Sequence, residues 1–505
     1  MSSSLHQWAV SQLAALKVPV IRLVTDSREI LSGDTFVAYP GVKTDGRQFI
    51  AQAIAQGANA VIWEAQHFTW NDAWQVPNLA VADLRHKAGW LADVVYSMPS
   101  GKLWMVGVTG TNGKTSTSHW IAHALNQAGK KCALIGTLGN GFVDGLQPGE
   151  NTTPDAIRVH GLLAGYVRDG AQAVAMEVSS HALSQGRVNA VRFNVAMLTN
   201  LSRDHLDYHG DMQSYADAKR KLFDWQQLEY VVLNLDDTYG VELAEQLQNA
   251  DAEVVGYGLS DGALQFAERF GLRMVYGNLR EMTGQGLRLK VHSSWGAAEI
   301  NSELVGRFNA VNLLGALAVL LVSGVALQDA ASSLSRVQPV AGRMQRLGSV
   351  QQPTVVVDYA HTPDALEKVL QTLREASVAA GGKVFCVFGC GGDRDRGKRA
   401  MMGMIAEKFS DFCIVTSDNP RSENPREIIA EIVNGMKEEN HEIIVDRAAA
   451  IQSVIRYARQ GDTVLIAGKG HEDYQEISGV KYPFSDVLVA QQALQQAQAK
   501  FGEGA

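Results

Sequence analysis

An apolar strand that runs straight into a glycine-rich loop limits this chain to the α/β class of folds. The run LWMVGVTG (Leu103–Gly110) leads into the segment GTNGKTS (Gly110–Ser116). The glycines let the backbone wrap closely around a phosphate, and a helix from about Lys114 adds positive potential at its N-terminus. Lys114 can neutralise the β and γ phosphates, and Thr115 can reach Mg²⁺. This order of strand, loop and helix predicts a domain that binds ATP.

The loop differs in one position from the general phosphate-loop spacing. The residue five positions before Gly113 is Val108, where that spacing has glycine. An ordinary glycine-rich turn is the alternative, but the strand, the Lys-Thr pair and the helix favour a nucleotide site. The predicted ATP contacts in this segment are Gly110, Thr111, Asn112, Gly113, Lys114, Thr115 and Ser116.

Three blocks divide the chain, because 505 residues are too many for one hydrophobic core. Residues 1–100 mix short strands with helices and end at a predicted linker, Pro99-Ser100-Gly101. Residues 101–341 contain the phosphate loop and repeat the order strand, helix, strand, which predicts a mostly parallel sheet. Residues 342–505 alternate most regularly and predict a doubly wound α/β domain.

Apolar runs and helical segments alternate through the third block. The predicted strands are Thr354–Val357, Val384–Phe388, Phe412–Val415, Ile443–Val445 and Thr463–Ile466. The segments PDALEKVLQTLREA and NPREIIAEIVNGM between them predict helices. Ligand sites of such sheets lie at the carboxyl ends of the strands.

Composition excludes several classes of protein. A net charge of −8 argues against general nucleic-acid binding, which needs a basic balance. The four cysteines form no CxxC pair, which favours buried free thiols over a zinc site or a disulfide framework. The longest apolar stretch, Leu313–Leu327, is too short to span a bilayer and predicts a buried helix. The N-terminus, MSSSLHQWAV, lacks the pattern of a signal peptide, so we expect a cytoplasmic protein.

Two polar residues follow apolar strands of the central block and are candidate ligands of a metal ion. Glu177 follows Ala173–Met176, and His205 lies in the segment TNLSRDH after Val195–Leu198. Each residue taken alone would more often be structural or exposed. Because parallel strands end at one edge of a sheet, their shared position beside a phosphate loop predicts Mg²⁺ binding.

Seven short segments occur in a fixed order along nearly the whole chain, and together they resemble the Mur ligase family. These segments are GTNGKTS, MEVSSHAL, TNLSRDHLDYHG, YADAK, FNAVN (Phe308–Asn312), DYAHTPDAL and GKGHE. The resemblance implies three domains: an N-terminal α/β domain for a UDP moiety, a central P-loop ATPase domain and a C-terminal Rossmann-like domain. It also implies that ATP phosphorylates a substrate carboxylate and that the amine of an amino acid attacks the resulting acyl phosphate.

The resemblance assigns roles to particular residues. It implies that Lys114, Glu177, His205 and Lys219 are catalytic, with Lys219 of YADAK carried as a carbamate. It implies Mg²⁺ near Thr115, Glu177, His205 and the Lys219 carbamate. Asn309, Arg343 and Asp358 match the family positions around the nucleotide.

The segment SDNPR (Ser417–Arg421) resembles the diaminopimelate-adding members of the family, whereas lysine-adding members lack the arginine. Arg421 and Arg394 can clamp the distal carboxylate of meso-diaminopimelate, and Glu472 can bind an ammonium. Locally, the segment also predicts a helix N-cap with proline in the first turn. The full set of predicted diaminopimelate contacts is Arg394, Asp418, Asn419, Pro420, Arg421, Gly468 and Glu472.

The acceptor implied by the resemblance is UDP-N-acetylmuramoyl-L-Ala-D-Glu, joined through its D-Glu γ-carboxylate by a monomeric enzyme. The matching positions are Thr25, Ser27, Val42, Lys43, Thr44, Asn151, Thr152, Thr153, Ser179, Gln185 and Arg187. Val42 departs from the expected polar residue, so a contact there would use the main chain. The alternatives are a folyl-polyglutamate ligase, the ligase of the next muramoyl intermediate, and a nucleotide-dependent switch without amide synthesis.

Overall fold

The computed structural model describes residues 2–41, 44–349, 351–379 and 381–502 of the chain, and these form three sheets and a hairpin. The predicted positions Val42 and Lys43 lie outside the described residues. Within these ranges, no helix combines the length and apolar content needed to cross a membrane.

The N-terminal part is a four-stranded sheet in the order β1-β2-β3-β4, with all neighbours parallel. Apolar clusters cover both faces of this sheet, which explains why β3 (AVIWE) is buried along its whole length. Its elements are α1 (Ser2–Ala15), β1 (Leu23–Val24), β2 (Thr35–Ala38), α2 (Ile50–Ala55), β3 (Ala60–Glu64), β4 (Asn78–Val81) and α3 (Leu84–Val95).

The central part is a ten-stranded sheet in the order β14-β13-β12-β11-β10-β9-β5-β8-β6-β7. Its middle strands are parallel and its two ends are antiparallel. The elements are β5 (Trp104–Thr109), α4 (Lys114–Gln127), β6 (Cys132–Gly136), β7 (Gly139–Phe142), α5 (Ala156–Arg168), β8 (Ala173–Glu177), α6 (Ser180–Ser184), β9 (Val195–Leu198), α7 (Leu206–His209), α8 (Met212–Arg220), β10 (Tyr230–Asn234), α9 (Thr238–Gln246), β11 (Glu253–Gly258), α10 (Asp261–Phe270), β12 (Arg273–Thr283), β13 (Gly286–Ser293), β14 (Gly296–Ser302), α11 (Arg307–Val322) and α12 (Leu327–Ser335).

The C-terminal part is a six-stranded sheet in the order β15-β16-β20-β17-β18-β19, parallel except at β15. A separate antiparallel hairpin, β21–β22, follows it. The elements are β15 (Gln345–Leu347), β16 (Thr354–Asp358), α13 (Pro363–Ala379), β17 (Val384–Phe388), α14 (Gly397–Phe409), β18 (Phe412–Val415), α15 (Pro425–Val433), β19 (His441–Ile443), α16 (Arg447–Tyr457), β20 (Thr463–Ala467), β21 (Tyr474–Ile477), β22 (Val480–Pro483) and α17 (Asp486–Gly502).

Three sequence-based boundaries are wrong. The predicted strand Ile443–Val445 lies at His441–Ile443, on the exposed edge of the sheet, where apolar content is a poor guide. The buried helix predicted at Leu313–Leu327 runs from Arg307 to Val322 and ends before Gly324, which has a φ of +78°. Pro99-Ser100-Gly101 belongs to a 3₁₀ helix with buried Pro99 and Ser100, so it is packed structure rather than a loose linker.

The segment SDNPR does not cap a helix. The helix α15 begins at Pro425, and its N-cap is Asn424, whose side chain accepts a hydrogen bond from Arg426 N. Arg421 lies in the left-handed region with a φ of +51°, which continues no helix. The prediction of an N-cap at this segment was therefore wrong, and the segment is a loop.

The four cysteines are buried and free, as the sequence predicted. Burial raises the pKa of the Cys132 thiol to about 12, so this sulfur stays protonated and unreactive at neutral pH.

Candidate active site

The phosphate loop between β5 and α4 is held in an open curve by its glycines and by the segment that follows β9. Gly110 has a φ of +143°, and a β-carbon there would collide with Thr199 Oγ1. Asn200 Oδ1 accepts a hydrogen bond from Asn112 N at 3.0 Å, and Thr199 Oγ1 donates to Asn112 O at 2.6 Å. The two loops thus form one rigid unit, which leaves the N-terminus of α4 facing the cavity.

Two lysines converge on one carbonyl of this loop. Lys114 Nζ donates to Gly110 O and Thr111 O, both at 2.9 Å, and Lys219 Nζ donates to Gly110 O at 2.8 Å. Lys219 is only 1% exposed, and burial together with the nearby Lys114 lowers its pKa well below the usual range. The structure therefore brings Lys114 and Lys219 together, although they are far apart in sequence.

Glu177 ends β8 beside the first turn of α4. Its Oε2 accepts hydrogen bonds from Thr115 Oγ1 at 3.0 Å and Thr137 Oγ1 at 3.1 Å. Its Oε1 accepts from Thr137 N at 2.8 Å. Thr137 was missed by the sequence analysis, because a lone threonine after a strand carries no distinguishing pattern.

The donors present fit Mg²⁺ bound jointly by protein and nucleotide. Thr115 and Glu177 offer a hydroxyl and a carboxylate oxygen, which are hard ligands. Within the described ranges, no group of three or more His, Cys, Asp or Glu side chains is arranged as a metal cage. Mg²⁺ usually uses one or two carboxylates together with phosphate oxygens, so such a cage is not required.

A buried carboxylate, Asp204, joins the central and C-terminal parts. Its Oδ2 lies 3.3 Å from His205 Nε2 and 3.6 Å from His361 Nε2, and its Oδ1 lies 3.5 Å from Lys398 Nζ. Burial disfavours its ionisation, but the charge of Lys398 and a hydrogen bond with His361 hold the pKa of Asp204 well below its usual range. Burial also lowers the pKa of His205 to about 2, so this imidazole is neutral at physiological pH and can act as a ligand.

A cavity of about 630 Å³ lies beside the phosphate loop and is lined by both the central and C-terminal parts. Its wall includes the predicted nucleotide residues Asn309, Arg343 and Asp358. Arg343 lies over the Tyr359 ring at 4.2 Å, and its Nη2 donates to Thr115 Oγ1 at 3.3 Å. Asp358 accepts from Met344 N and Ala360 N, and burial raises its pKa despite the opposing charge of Arg343.

Asn312 is a cavity residue that the sequence analysis missed. A β-carbon at Gly113 would lie 2.8 Å from Asn312 Oδ1, so this side chain packs directly against the phosphate loop. Asn312 stands three positions after Asn309 on α11, a spacing that places both residues on one helix face. That spacing was the signal available in the sequence.

The predicted acceptor residues form two groups. Thr153, Ser179, Gln185 and Arg187 lie together: Arg187 Nη1 donates to Thr153 O at 2.8 Å, and its Nε and Nη2 donate to Gln185 Oε1. Thr153 Oγ1 accepts from Ser179 N at 3.1 Å. Thr152 contributes to the cavity wall beside Thr137, and Asn151 is exposed next to it.

The second group belongs to the N-terminal sheet. Thr25 and Ser27 follow β1, where Ser27 Oγ donates to Gln52 Oε1 at 3.1 Å, and the exposed Thr44 accepts from Gly41 N. An ion pair between Arg158 and Glu29 (3.2 Å) links this part to the central part. Within the described ranges, no hydrogen bond or ion pair joins the two groups of acceptor residues, so a single ligand that used both would have to bridge them.

The predicted amino-acid site is built from two loops at the carboxyl ends of β18 and β20. Asn419 Nδ2 donates to Glu472 Oε2 at 2.8 Å, while Asn419 Oδ1 accepts from Glu476 N at 2.9 Å. Gly468 has a φ of +117°, and a β-carbon there would lie 2.5 Å from Asp418 Oδ2. Gly468 N also donates to Asp358 O at 3.1 Å, which connects this site to the cavity wall.

Arg421 is fixed by the hairpin β21–β22. Its N donates to Glu476 O, its carbonyl accepts from Ser478 N, and its Nη1 donates to Gly392 O at 2.8 Å. The Arg421 Nε lies 3.2 Å from Glu476 Oε2, so the guanidinium already has a carboxylate partner. Two donors remain on Nη2, enough for one further carboxylate. Arg394 is exposed, and a β-carbon at Gly391 would lie between Arg421 Nη1 (2.8 Å) and Arg394 Cγ (3.7 Å).

This fold and this arrangement of loops define an ATP-using type of α/β enzyme, and comparison with known proteins gives its family. Three family descriptions match: the Mur ligase middle domain over residues 108–320, the Mur ligase glutamate ligase domain over 342–470 and the Mur ligase catalytic domain over 20–96. The chain belongs to the Mur ligase family.

Several proteins that are similar to this chain bear the same enzyme name. The chain is 52% identical over 493 residues to the UDP-N-acetylmuramoyl-L-alanyl-D-glutamate–2,6-diaminopimelate ligase of Chromobacterium violaceum, covering 97% of this chain and 98% of that protein. It is 50% identical over 495 residues to the enzyme of that name from Nitrosomonas europaea, covering 96% and 95%. A solved structure of a ligase with this name superposes with a TM-score of 0.64 at 36% identity, covering 95% of this chain and 96% of that one.

Proposed function

We propose that this chain is an ATP-dependent ligase that joins meso-2,6-diaminopimelate to the D-glutamate γ-carboxylate of UDP-N-acetylmuramoyl-L-alanyl-D-glutamate, a step in peptidoglycan synthesis. The observation that carries the proposal is the geometry of the SDNPR loop, in which Arg421 has a left-handed conformation, its Nη2 has no partner among the described residues, and the nearby Asn419 donates to Glu472. A loop that supplies the guanidinium of Arg421 and the carboxylate of Asp418, and that is hydrogen-bonded to Glu472, suits an amino-acid end with both a carboxylate and an ammonium. The relatives of about 50% identity bear the corresponding name.

The chemistry required is the activation of an inert carboxylate. The phosphoryl group of ATP converts this carboxylate into an acyl phosphate, which the amine then attacks, releasing phosphate. Lys114 and the N-terminus of α4 stabilise charge on the transferring phosphoryl group. Arg343 donates a hydrogen bond to Thr115 Oγ1, which places its positive charge near the same group. Mg²⁺ held by Thr115 and Glu177, with His205 nearby, would neutralise the phosphate oxygens.

Lys219 supports this scheme best as a carbamate. Its side-chain nitrogen is buried against Gly110 O and lies close to Lys114, and both features lower its pKa well below the usual range, which favours the neutral amine. The neutral amine can add CO₂ with formation of an N–C bond and release of one proton, which leaves an anionic carbamate that can pair with Lys114 or Mg²⁺.

We also propose domain limits at 1–100, 101–341 and 342–505, with the N-terminal domain binding the UDP moiety through Thr25, Ser27 and Thr44. Thr153, Ser179, Gln185 and Arg187 would contact the muramoyl peptide. ATP and UDP-linked precursors are cytoplasmic metabolites, so the enzyme would act in the cytoplasm, and a single chain would contain every residue used, which is consistent with a monomer.

The test is release of inorganic phosphate with defined substrate pairs. We expect phosphate release only when ATP, UDP-N-acetylmuramoyl-L-Ala-D-Glu and meso-diaminopimelate are all present. Parallel reactions with lysine, with a folyl-polyglutamate plus glutamate, and with the tripeptide precursor plus D-alanyl-D-alanine examine the alternatives. Phosphate release with any of these pairs but not with diaminopimelate would refute the proposal.

A further inference from the structure

Beneath the amino-acid site lies a fully buried lysine, Lys469, which is none of the residues predicted to contact a substrate. Its side chain is 0% exposed. Its neighbours Gly468 and Gly470 have φ values of +117° and +54°, so the loop after β20 turns sharply on both sides of it. A lysine is almost never fully buried unless it is paired, because removing an ammonium from water is costly.

The partners of Lys469 are all residues of the amino-acid site. Its Nζ donates to Glu472 Oε2 at 2.9 Å and to Asn419 Oδ1 at 3.0 Å, and Asp418 Oδ1 lies 3.9 Å away. Asn419 Nδ2 donates to the same Glu472 oxygen at 2.8 Å. One buried charge therefore fixes the orientation of the side chains of Asn419 and Glu472.

This network leaves oxygens available for a ligand. Glu472 Oε2 receives two donors, whereas no described residue donates a hydrogen bond to Glu472 Oε1 or to the carboxylate oxygens of Asp418. Such oxygens suit a ligand ammonium. Lys469 also offsets the negative charge of these carboxylates, which would otherwise repel the distal carboxylate that Arg421 is to bind.

We propose that Lys469 is a positioning residue that sets the charge balance of the amino-acid site and thereby favours an amino acid with both an ammonium and a carboxylate at its far end over one with an ammonium alone. This inference rests on the proposed function and deepens it. Without Lys469, the site gains one net negative charge, which weakens binding of diaminopimelate but leaves the attraction for the side chain of lysine intact or stronger.

The test compares Lys469→Met and the milder Lys469→Gln with Lys481→Met as a matched control. Lys481 is an exposed lysine of the hairpin that lies over the same ring as Lys469, Tyr474, at 4.1 Å against 5.5 Å. We expect the KM for meso-diaminopimelate to rise about 10- to 100-fold in both Lys469 variants, as for loss of a charge-assisted contact. The ratio of kcat/KM for diaminopimelate to that for L-lysine should fall by about the same factor, while the KM for ATP stays within about twofold.

Three results would overturn the inference: an unchanged preference for diaminopimelate over lysine, a parallel rise in the KM for ATP and for the UDP-linked substrate, or variants that do not fold. The last two would make Lys469 purely structural. Wild-type activity separates this inference from the proposed function. Absence of diaminopimelate-dependent phosphate release in the wild type refutes the function itself, whereas normal wild-type activity with unaltered variants refutes only the role of Lys469.

Discussion

At the scale of single residues, Lys114 provides the most direct test of the nucleotide site. Its ammonium donates hydrogen bonds to two loop carbonyls, Gly110 O and Thr111 O, and forms no close ion pair with any described residue. We expect Lys114→Ala to fold normally and to lose phosphate release by about 10²- to 10³-fold, the usual effect of deleting one electrostatic donor. Phosphate assays and thermal unfolding measure both properties. Lys131→Ala, which removes an exposed lysine, should match the wild type.

Substitution of Lys219 tests whether this lysine acts as a carbamate or has only a structural role. Lys219→Ala removes the proposed carbamate and opens a small space beside Gly110 O, so activity should fall by about 10²-fold or more. Because a short carboxylate can occupy that space and restore the anion, added acetate or formate should recover part of the activity in a concentration-dependent way. Chloride at equal ionic strength serves as the control. A fully active Lys219→Ala enzyme would eliminate the carbamate from the mechanism.

Arg421 tests recognition of the distal carboxylate. Charge-assisted hydrogen bonds contribute roughly 1.5–3 kcal/mol each, so Arg421→Ala should raise the KM for diaminopimelate about 10- to 100-fold. The KM for ATP should change little, because Arg421 is outside the cavity wall. Arg396→Ala offers a control, since Arg396 pairs with Glu431 on the surface. Efficient use of lysine by the wild type, or an unchanged KM for diaminopimelate in Arg421→Ala, would contradict this reading.

At the scale of elements, strands and the phosphate loop were predictable, whereas the loop at Arg421 was not. The sequence DNPRSENPRE contains the triplet Asn-Pro-Arg twice, and both copies carry the local signal of a helix N-terminus. Only the second copy begins a helix, at Pro425. In the first copy, the backbone of Arg421 forms hydrogen bonds with the backbone of the hairpin at Glu476 and Ser478. These residues lie more than fifty positions away, so no local pattern reveals the contact.

The same reason limits prediction of the site. Residues within a contiguous motif, such as Gly110–Ser116, could be proposed as site residues from order and residue type alone. Asp204 lies beside the predicted His205, yet its importance comes from Lys398 and His361 of another domain. Lys469 stands within GKGHE but is hydrogen-bonded to Asn419, fifty positions earlier. Tertiary pairing of this kind depends on the strand order of the sheet, which local periodicity does not determine.

Substitution of Gly342 tests how closely the segment before β15 packs against the loop after β20, next to the cavity. Its φ is +66°, and a β-carbon there would collide with backbone atoms of Gly470 and His471, which cannot rotate away. We expect Gly342→Ala to displace Arg343 and to raise the KM for ATP, with a loss of unfolding free energy of about 1–3 kcal/mol. Gly129→Ala is the control, because Gly129 has a similar φ of +79° but open space around it. Equal effects of both substitutions would show that backbone strain alone, and not the collision with Gly470 and His471, causes the loss.

At the scale of the whole molecule, contacts between the central and C-terminal parts enclose the cavity. Asn112 Nδ2 donates to Asp364 Oδ2 at 3.0 Å, and Arg343 reaches Thr115. Both contacts involve the phosphate loop or the helix that follows it, so the position of the C-terminal part affects the shape of the proposed nucleotide site. Arg203 and Asp395 add an ion pair between the two parts, with Nε to Oδ2 at 3.0 Å and Nη2 to Oδ1 at 3.2 Å.

This ion pair should favour the observed arrangement, here called closed, in which the central and C-terminal parts contact each other. Arg203→Gln removes a partly exposed, bidentate contact, for which about 1 kcal/mol is a reasonable value. The population of the closed form should therefore fall about fivefold relative to open forms, and kcat/KM for all three substrates should fall together by up to that factor. Small-angle scattering should give a larger radius of gyration for the variant than for the wild type, both with a non-hydrolysable ATP analogue bound.

A second arginine serves as a control that distinguishes an effect on closure from an effect of losing one positive charge. Arg374, which is 31% exposed against 38% for Arg203, also pairs with an aspartate, Asp411, but both of its partners belong to the C-terminal part. Arg374→Gln should leave the scattering and the kinetic constants unchanged, because its ion pair does not cross between parts. Raising the salt concentration should weaken the Arg203 pair and bring the wild type towards the variant, since exposed ion pairs are screened. A variant Arg203→Gln that scatters like the wild type at low salt would show that the ion pair does not control closure.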